Sequence, residues 1–213
     1  MSQNENSTEK EESIKIILIG NAGTGKTNLI NVCCDLKFSE KMESTITASY
    51  LEKIIEINNV KYSIKLWDTA GQEAYHSLNK LFIKGSKICI LVYDITSRES
   101  FEALSMWEES LVGIIEKEAV LAIVGNKNDL YLKENVSENE EEEYAKEKGI
   151  LHCRTSAKKD KVGFQKFIKK LVEEYLYQKK MNEWVFIEKD NEIFNLSKEI
   201  LQQHENIKKK NCC

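Results

Sequence analysis

The amino-acid sequence predicts an α/β fold: a mostly parallel six-stranded sheet with one antiparallel edge strand and helices on both faces. Three observations lead to this prediction. Short apolar runs typical of buried parallel strands alternate with longer helical patterns. A glycine-rich loop, Gly20 to Thr27, follows the first apolar run and has the pattern G-x-x-x-x-G-K-[ST]. A turn at Asn58 and Asn59 between two further runs predicts a hairpin, and with it the antiparallel strand.

The elements follow one another along the chain in strand and helix alternation. The parallel strands are predicted at Ile14 to Ile19, Ile64 to Trp67, Ile88 to Tyr93, Val120 to Val124 and Ile150 to Cys153. The hairpin is predicted at Leu51 to Ile57 and Lys61 to Trp67. Helices are predicted near Lys26 to Asp35, Ser97 to Glu116, Ser137 to Lys148 and Val162 to Tyr177.

The helix after Ser137 carries its own start signal. Ser137 with Glu140 three residues later has the form of a capping box, in which each side chain bonds to the other's backbone. The acidic run Glu140 to Glu143 suits the positive end of the helix dipole. We interpret this run as a solvated helix face.

Composition favours one globular domain with polar ends. The chain has 213 residues and no proline. Its formal charge of −4 gives no reason to expect a nucleic-acid partner. We predict a disordered N-terminal extension at 1–12, a globular domain at 13–178 and a variable tail at 179–213. The extension does not resemble a signal peptide, and no apolar run approaches bilayer length. We therefore expect the protein to remain on the cytosolic side.

The six cysteines and three histidines do not indicate a disulfide framework or a zinc site. Cys33 and Cys34 are adjacent on a predicted helix, while Cys89 and Cys153 are single residues in strands predicted to be buried. We interpret these four as free core thiols. The histidines, His76, His152 and His204, are too far apart in the sequence to suggest a metal site.

The glycine-rich loop and a second motif predict a site for phosphates and a metal ion. Glycine lets the loop turn tightly and point backbone N–H groups at phosphate oxygens, beside a helix N-terminus that favours negative charge. Lys26 would reach the β- and γ-phosphates, and the Thr27 hydroxyl would coordinate Mg²⁺. In the D-x-x-G sequence after the next strand, Asp68 can hold the metal through water and the Gly71 N–H can meet the γ-phosphate.

Two further segments predict that the base is guanine. The Asp129 carboxylate, in Asn-Lys-x-Asp, accepts two hydrogen bonds from the N1–H and 2-amino groups of guanine, and adenine offers neither. Asn126 belongs to the same motif, and Lys127 can lie along the ring face. Ser156, Ala157 and Lys158 follow the last strand and would complete the base pocket.

With these motifs in order, the chain resembles a Ras-superfamily small GTPase, and within it the Rab family. Further similar stretches are Ile46 to Tyr50, Ile64 to Glu73, Tyr75 to Leu78, Leu81 to Ser86 and Leu91 to Thr96. The segments Glu43 to Ile46 and Tyr75 to Leu78 are most similar to the early-endosomal Rab subgroup. The resemblance covers Ser13 to Gln178 and implies the P-loop small-GTPase fold.

The resemblance also implies a mechanism and a role. Gln72 would orient the water that attacks the γ-phosphate, Thr45 would bind Mg²⁺ and the γ-phosphate, and Phe38 would pack against guanine. The other expected nucleotide contacts are Gly20, Ala22, Gly23, Thr24, Gly25 and Asn28. The implied role is a GTP/GDP switch in vesicle traffic. Its implied partners are effectors, an exchange factor, a GTPase-activating protein and a GDP-dissociation inhibitor or escort protein.

The last two residues, Cys212 and Cys213, follow Lys208 to Lys210 at the end of the polar tail. They lack the C-a-a-X form, and their prenylation is implied by resemblance to Rab tails alone. Two lipid chains are what stable anchoring requires. The expected location is therefore the cytosol and the cytoplasmic face of an endomembrane, with the lipids as the anchor.

Four positions depart from the family pattern: Ala22, Thr47, Ala74 and Gly163. The Ala22 side chain could crowd the attacking water or an arginine supplied by an activating protein. This leaves an alternative, a GTP-bound scaffold with negligible hydrolysis, although Gln72 favours the hydrolysing switch. A P-loop kinase using ATP is opposed by Asp129 and by the lack of an evident lid segment.

Overall fold

The computed structural model describes residues 13–42, 45, 48–69 and 81–182. Several sequence predictions lie outside these residues. They are the N-terminal extension 1–12, Thr47, Gly71, Gln72, Ala74, His76, His204 and the tail beyond residue 182 with Cys212 and Cys213. The described residues up to 175 belong to one compact unit, and residues 176–182, which are helical, belong to a second. Among the described residues, no helix has the length and apolar character needed to cross a bilayer.

A single six-stranded sheet organises the first unit, in the spatial order β2-β3-β1-β4-β5-β6. The strands are β1 Ile14–Ile19, β2 Ser49–Ile57, β3 Val60–Asp68, β4 Ile88–Asp94, β5 Val120–Asn126 and β6 Leu151–Arg154. All pairings are parallel except that of β2 with β3. The predicted fold class is confirmed, including the antiparallel strand at one edge.

The hairpin that creates this edge turns at Asn58 and Asn59, as the sequence predicts. Both residues have positive φ, 51° and 64°, which a two-residue turn with the twist of its flanking strands requires. Asparagine tolerates this left-handed conformation better than most residues. The register then pairs Ile57 with Val60 and runs to Ser49 opposite Asp68.

Helices fill the connections between the strands. The α-helices are α1 Lys26–Cys33, α2 Arg98–Glu102, α3 Leu104–Leu111, α4 Glu138–Lys148 and α5 over residues 161–182. Residues 81–83 are also helical, and Asn128–Lys133 form a 3₁₀ helix. The predicted helix from Ser97 to Glu116 is wrong in its extent. The backbone at Ala103 flattens to ψ −11°, which divides α2 from α3, and after Leu111 the chain turns away at Val112 and Gly113, where Gly113 has φ 74°.

The core lies on both faces of the central strands. Every residue of β4 is buried. On one face, Leu104, Trp107 and Leu111 of α3 pack into a cluster with buried side chains of β1, β4 and β5. The alternate residues of β1, Ile16 and Leu18, are also fully buried, so the opposite face is covered as well. Strands buried on both faces leave their polar residues to the strand ends.

The capping box at the start of α4 is confirmed. Ser137 Oγ accepts the Glu140 N–H at 3.3 Å, and the Glu140 carboxylate accepts the Ser137 N–H at 2.9 Å. The interpretation of Glu140 to Glu143 as a solvated face is wrong for Glu141, which has no exposed surface. Glu141 faces the sheet because it lies one turn before Ala145, which also packs on the core.

The prediction of a core thiol is correct for Cys33 and Cys89, which are buried. It is wrong for Cys34 and Cys153, which are partly exposed. Cys34 lies at the end of α1, and Cys153 lies in β6, which pairs with β5 alone and forms the other edge of the sheet. An edge strand is covered less completely than a central one.

We expect Ser137→Ala to lower the free energy of unfolding by about 1 kcal/mol, because the Glu140 N–H loses its capping acceptor. The comparison variant is Ser105→Ala, since Ser105 lies inside α3 and its hydroxyl donates to the Glu102 carbonyl without capping a helix. Urea unfolding measures both. Equal losses in the two variants would show that the capping contribution is negligible.

Candidate functional site

A cavity of about 390 Å³ opens at the carboxyl ends of the parallel strands, where the loops after β1, β5 and β6 meet. Open α/β sheets characteristically bind ligands at this edge. The lining residues are Ala22, Gly23, Gly25, Lys26, Thr27, Asn28, Phe38, Ser39, Glu40, Met42, Thr45, Thr69, Asn126, Lys127, Asp129, Leu130, Ala157 and Lys158.

The glycine-rich loop holds a buried cation at its centre. Gly25 caps the start of α1 in the left-handed conformation, with φ 92°, and Lys26 follows as the first helical residue. Lys26 Nζ donates to the carbonyl oxygens of Gly20 at 2.7 Å and Asn21 at 2.9 Å. Burial lowers the pKa of Lys26 to about 8, against a smaller opposing effect of the Asp68 carboxylate. An anion bound in this loop would favour the charged form of Lys26.

Three oxygen-bearing side chains from different segments converge beside this loop. The Thr27 hydroxyl donates to Asp68 Oδ2 at 2.7 Å, and the Thr45 hydroxyl donates to the same oxygen at 3.2 Å. The hydroxyl oxygens of Thr27 and Thr45 are 3.0 Å apart. The sequence places these residues far apart, so the fold brings the predicted metal site together.

The donor set fits a magnesium ion. Two hydroxyls and a carboxylate are hard oxygen ligands of the kind Mg²⁺ prefers. The second carboxylate oxygen, Asp68 Oδ1, is buried and has no hydrogen-bond partner among the described residues. Burial raises the pKa of Asp68, more than the bonds from Thr27 and Thr45 and the charge of Lys26 lower it. A divalent cation would compensate this carboxylate, and these residues could therefore hold one.

Asn126 connects the glycine-rich loop to the loop after β6. Its amide nitrogen donates to the Thr24 carbonyl at 2.8 Å, and its amide oxygen accepts the Ala157 N–H at 3.1 Å. The side chain is 1% exposed. A β-carbon at Gly25 would collide with this amide nitrogen, so glycine is required here for space as well as for its positive φ. Asn126 thus holds together the two loops that form the cavity wall.

At the opposite end of the cavity, Asp129 is held in place by a neighbouring loop. Ser156 Oγ donates to Asp129 Oδ1 at 2.5 Å, which leaves Oδ2 of this carboxylate outside that bond. Lys127 adopts the left-handed conformation, φ 66°, and its ammonium group pairs with Asp94 Oδ2 at 2.6 Å. The stem of Lys127 therefore lies along the cavity wall while its charge is fixed at the end of β4.

The cavity rim includes residues that the sequence did not predict: Ser39, Glu40, Met42, Thr69 and Leu130. Asn28 clamps the Ser39 backbone, donating to its carbonyl at 2.8 Å and accepting its N–H at 3.0 Å. Lys158 pairs with Glu40 at 2.6 Å across the rim. Ser39 and Glu40 directly follow Phe38 in the sequence, but they belong to no motif that would have predicted their place at the cavity.

Most of the predicted site residues meet at this cavity. Gly20, Thr24, Asp68 and Ser156 are described but lie behind the lining, where they support it through the contacts of Lys26, Asn126, Thr27 and Asp129. Gly71 and Gln72 lie outside the described residues. Ala22 is exposed at the cavity wall.

Comparison with known proteins identifies sequence relatives over most of this chain. The Ras family profile matches residues 15–177. Ras-related protein Rab-21 from Bos taurus is 41% identical over 149 residues, which is 70% of this chain and 67% of that protein. Ras-related protein Rab5 from Nicotiana tabacum is 40% identical over 68% of this chain and 72% of its own length. Ras-related protein Rab-5A from Dictyostelium discoideum is 38% identical over 72% of this chain and 76% of its own length.

We expect Asp129→Asn to reverse the base preference of the cavity. An amide donates where the carboxylate accepts, so the variant should lose affinity for GDP and gain affinity for xanthosine diphosphate, whose 2-oxo group is an acceptor. Competition of both nucleotides against a fluorescent nucleotide measures the ratio in the wild type and the variant. An unchanged ratio would remove Asp129 from the base pocket.

Proposed function

This chain belongs to the Rab branch of the Ras family of small GTPases, and we propose which of its residues carry out the hydrolysis and the switching that this membership implies. It is a GTP-hydrolysing enzyme that regulates vesicle traffic, bound to guanine nucleotide and acting through regulators and effectors. The observation that supports the residue assignments is the meeting of Lys26, Thr27 and Asp129 in one cavity.

We assign the phosphates to the glycine-rich loop and the base to the segments that follow β5 and β6. Lys26 neutralises the β- and γ-phosphates, and the N-terminus of α1 adds its positive dipole end. Asp129 accepts from guanine, Lys127 lies along the ring and Phe38 covers its edge. Asn126 keeps the phosphate and base ends in fixed relation.

Thr27, Thr45 and Asp68 would hold Mg²⁺, Asp68 through water. When bound, the ion neutralises charge that develops on the phosphate oxygens during transfer. Thr45 has a second task in this assignment, since its backbone would bind the γ-phosphate together with the Gly71 N–H. Loss of the γ-phosphate then releases both segments, and the surface that effectors recognise is lost with them.

Gln72 is assigned to orient the attacking water, and an activating protein would supply further charge stabilisation. The similarity to Rab-21 and Rab5 and the motifs of the early-endosomal subgroup support an endosomal membrane as the place of action. Cys212 and Cys213, at the end of the 179–213 tail, would carry the prenyl anchor, and a GDP-dissociation inhibitor or escort protein would handle the lipidated form.

We expect Thr27→Asn to weaken GTP binding far more than GDP binding, because the hydroxyl that bonds Asp68 is also the proposed Mg²⁺ ligand. Thr27→Ser keeps the hydroxyl and serves as the matched control. Titrating both variants with GDP and GTP in excess Mg²⁺ measures the two affinities. Equal weakening for both nucleotides in Thr27→Asn would contradict the metal assignment.

We expect Gln72→Leu to slow single-turnover hydrolysis by tenfold or more, roughly 1.4 kcal/mol of activation free energy, with GTP affinity nearly unchanged. If Ala22 already obstructs the water, the wild type will be slow, Ala22→Gly will accelerate it, and Gln72→Leu will matter only with that glycine present. The four combinations measure the coupling between the two positions.

The nucleotide recovered from the purified wild type separates the switch from the scaffold. Bound GDP indicates turnover, whereas retained GTP indicates a stalled enzyme. A fast wild type that is indifferent to Gln72→Leu would contradict both interpretations of these residues.

A further inference from the structure

Glu141 is a fully buried carboxylate that the proposed mechanism does not use. It lies on α4, has no exposed surface, and its Oε2 accepts hydrogen bonds from the Tyr93 hydroxyl at 2.7 Å and from Arg154 Nε at 2.7 Å. Its Oε1 lies 3.2 Å from His152 Nδ1. A buried charge is stable only when it is paired and hydrogen-bonded, and Glu141 is both.

The remaining nitrogens of the Arg154 guanidinium are also engaged. One donates to the Glu134 carboxylate at 2.9 Å, and the other donates to the Val136 carbonyl at 2.6 Å. The segment that carries Glu134 and Val136 is in turn attached to the end of β4, since the N–H groups of Asn135 and Val136 donate to the Ile95 carbonyl. The ion pair therefore joins α4, β6 and the segment that leads from β5 into α4.

This pair lies directly beneath the base end of the nucleotide cavity. Tyr93, Gly125 and Arg154 are side by side in the register of β4, β5 and β6. The residue that follows each of the three is connected to the site. Asp94 pairs with Lys127, Asn126 joins the two loops, and Thr155 precedes Ser156, whose hydroxyl holds Asp129.

β5, which lies between β4 and β6, leaves space for the Glu141 carboxylate at Gly125. A β-carbon on Gly125 would lie 2.7 Å from the Tyr93 hydroxyl oxygen and 3.0 Å from Glu141 Oε2, closer than side chains pack. Any other residue at this position would push the Tyr93 ring or the Glu141 carboxylate away. The sheet is therefore built around the pair at the level just before the base-binding segments.

We propose that the Glu141–Arg154 pair is a positioning element that holds the base-binding segments of this chain and so sets how tightly and how selectively it binds guanine nucleotides. The inference rests on the proposed assignment of Asp129 and Ser156 to the base. Loss of either partner leaves a buried charge that must turn toward water, and β6 and α4 shift with it. Asp129, held through Ser156, then moves relative to the 2-amino group of guanine.

The residues assigned to the phosphates and the metal lie apart from the Glu141–Arg154 pair. Lys26 and Thr27 lie on α1, and Asp68 lies at the end of β3, so none of them contacts the pair. Disrupting Glu141–Arg154 should weaken recognition of the base while leaving phosphate recognition in place. A general destabilisation of the fold would instead weaken the binding of every nucleotide to the same extent.

The test compares GDP with inosine diphosphate, which has the same phosphates but lacks the 2-amino group. We expect Arg154→Met and Glu141→Gln to release a fluorescent GDP roughly tenfold faster and to reduce the preference for GDP over inosine diphosphate by a similar factor, ~1.4 kcal/mol in each case. Arg154→Lys keeps the charge without the planar fork and should lie between these variants and the wild type.

The matched control is Arg98→Met, which breaks the exposed pair between Arg98 and Glu140 at the start of the same helix. It should leave both the release rate and the preference unchanged. If Arg154→Met does not fold, Glu141→Gln, which keeps the shape of the side chain, still provides the measurement. The double variant should release GDP no faster than Arg154→Met alone, since the two residues act as one unit.

The outcomes are distinct. Variants that bind both nucleotides as the wild type does, or that lose affinity for both by one common factor, would overturn the positioning role. A wild type that shows no preference for GDP over inosine diphosphate would instead contradict the proposed base pocket.

Discussion

The two hydrogen bonds of the buried Asn126 amide are the interaction on which the rest of the cavity depends. The amide accepts from the loop after β6 and donates to the loop after β1, and it does so where water has almost no access. A buried hydrogen bond contributes about 1 kcal/mol, but a partner left unsatisfied costs about 1–3 kcal/mol. The two loops therefore cannot separate without leaving the Thr24 carbonyl or the Ala157 N–H unpaired. The loop after β1 and the loop after β6 are thereby held by the same side chain.

The topology of the sheet explains how these loops come together with the residues proposed to bind the metal. Parallel strands bring their carboxyl ends to one edge, which places Asp68, Asp94 and Asn126 together. The antiparallel β2 brings its amino end to the same edge, with Ser49 opposite Asp68. Thr45 precedes Ser49 by a few residues and so reaches the Asp68 carboxylate. A parallel strand in this position would have started at the far edge and taken Thr45 with it.

The parts that the sequence predicted correctly are those encoded by local signals. The Asn58–Asn59 turn, the capping box at Ser137 and the loop around Lys26 each need particular residues within a short stretch. The burial of Glu141 was not predictable in this way, because it depends on the space above Gly125 and on an arginine from another strand. For the same reason Ser39 and Glu40 were missed, since their place at the rim is set by Asn28 and Lys158.

The charges of Lys26 and Asp68 make the stability of the folded state depend on what is bound in the cavity. Burial lowers the pKa of Lys26 to about 8 and raises the pKa of Asp68, so both groups are less stable in their charged forms here than in an unfolded chain. The lowered pKa of Lys26 makes the folded state gain stability as the pH rises from about 8 toward the ordinary lysine value. The raised pKa of Asp68 makes it lose stability as the pH rises through the acidic range.

Near neutral pH both groups therefore oppose folding, and a phosphate beside Lys26 with a cation beside Asp68 would remove both penalties together. A ligand present at a thousand times its dissociation constant adds about 4.1 kcal/mol to the free energy of unfolding. A bound nucleotide, with a cation beside Asp68, would thus stabilise this fold in addition to taking part in its reaction.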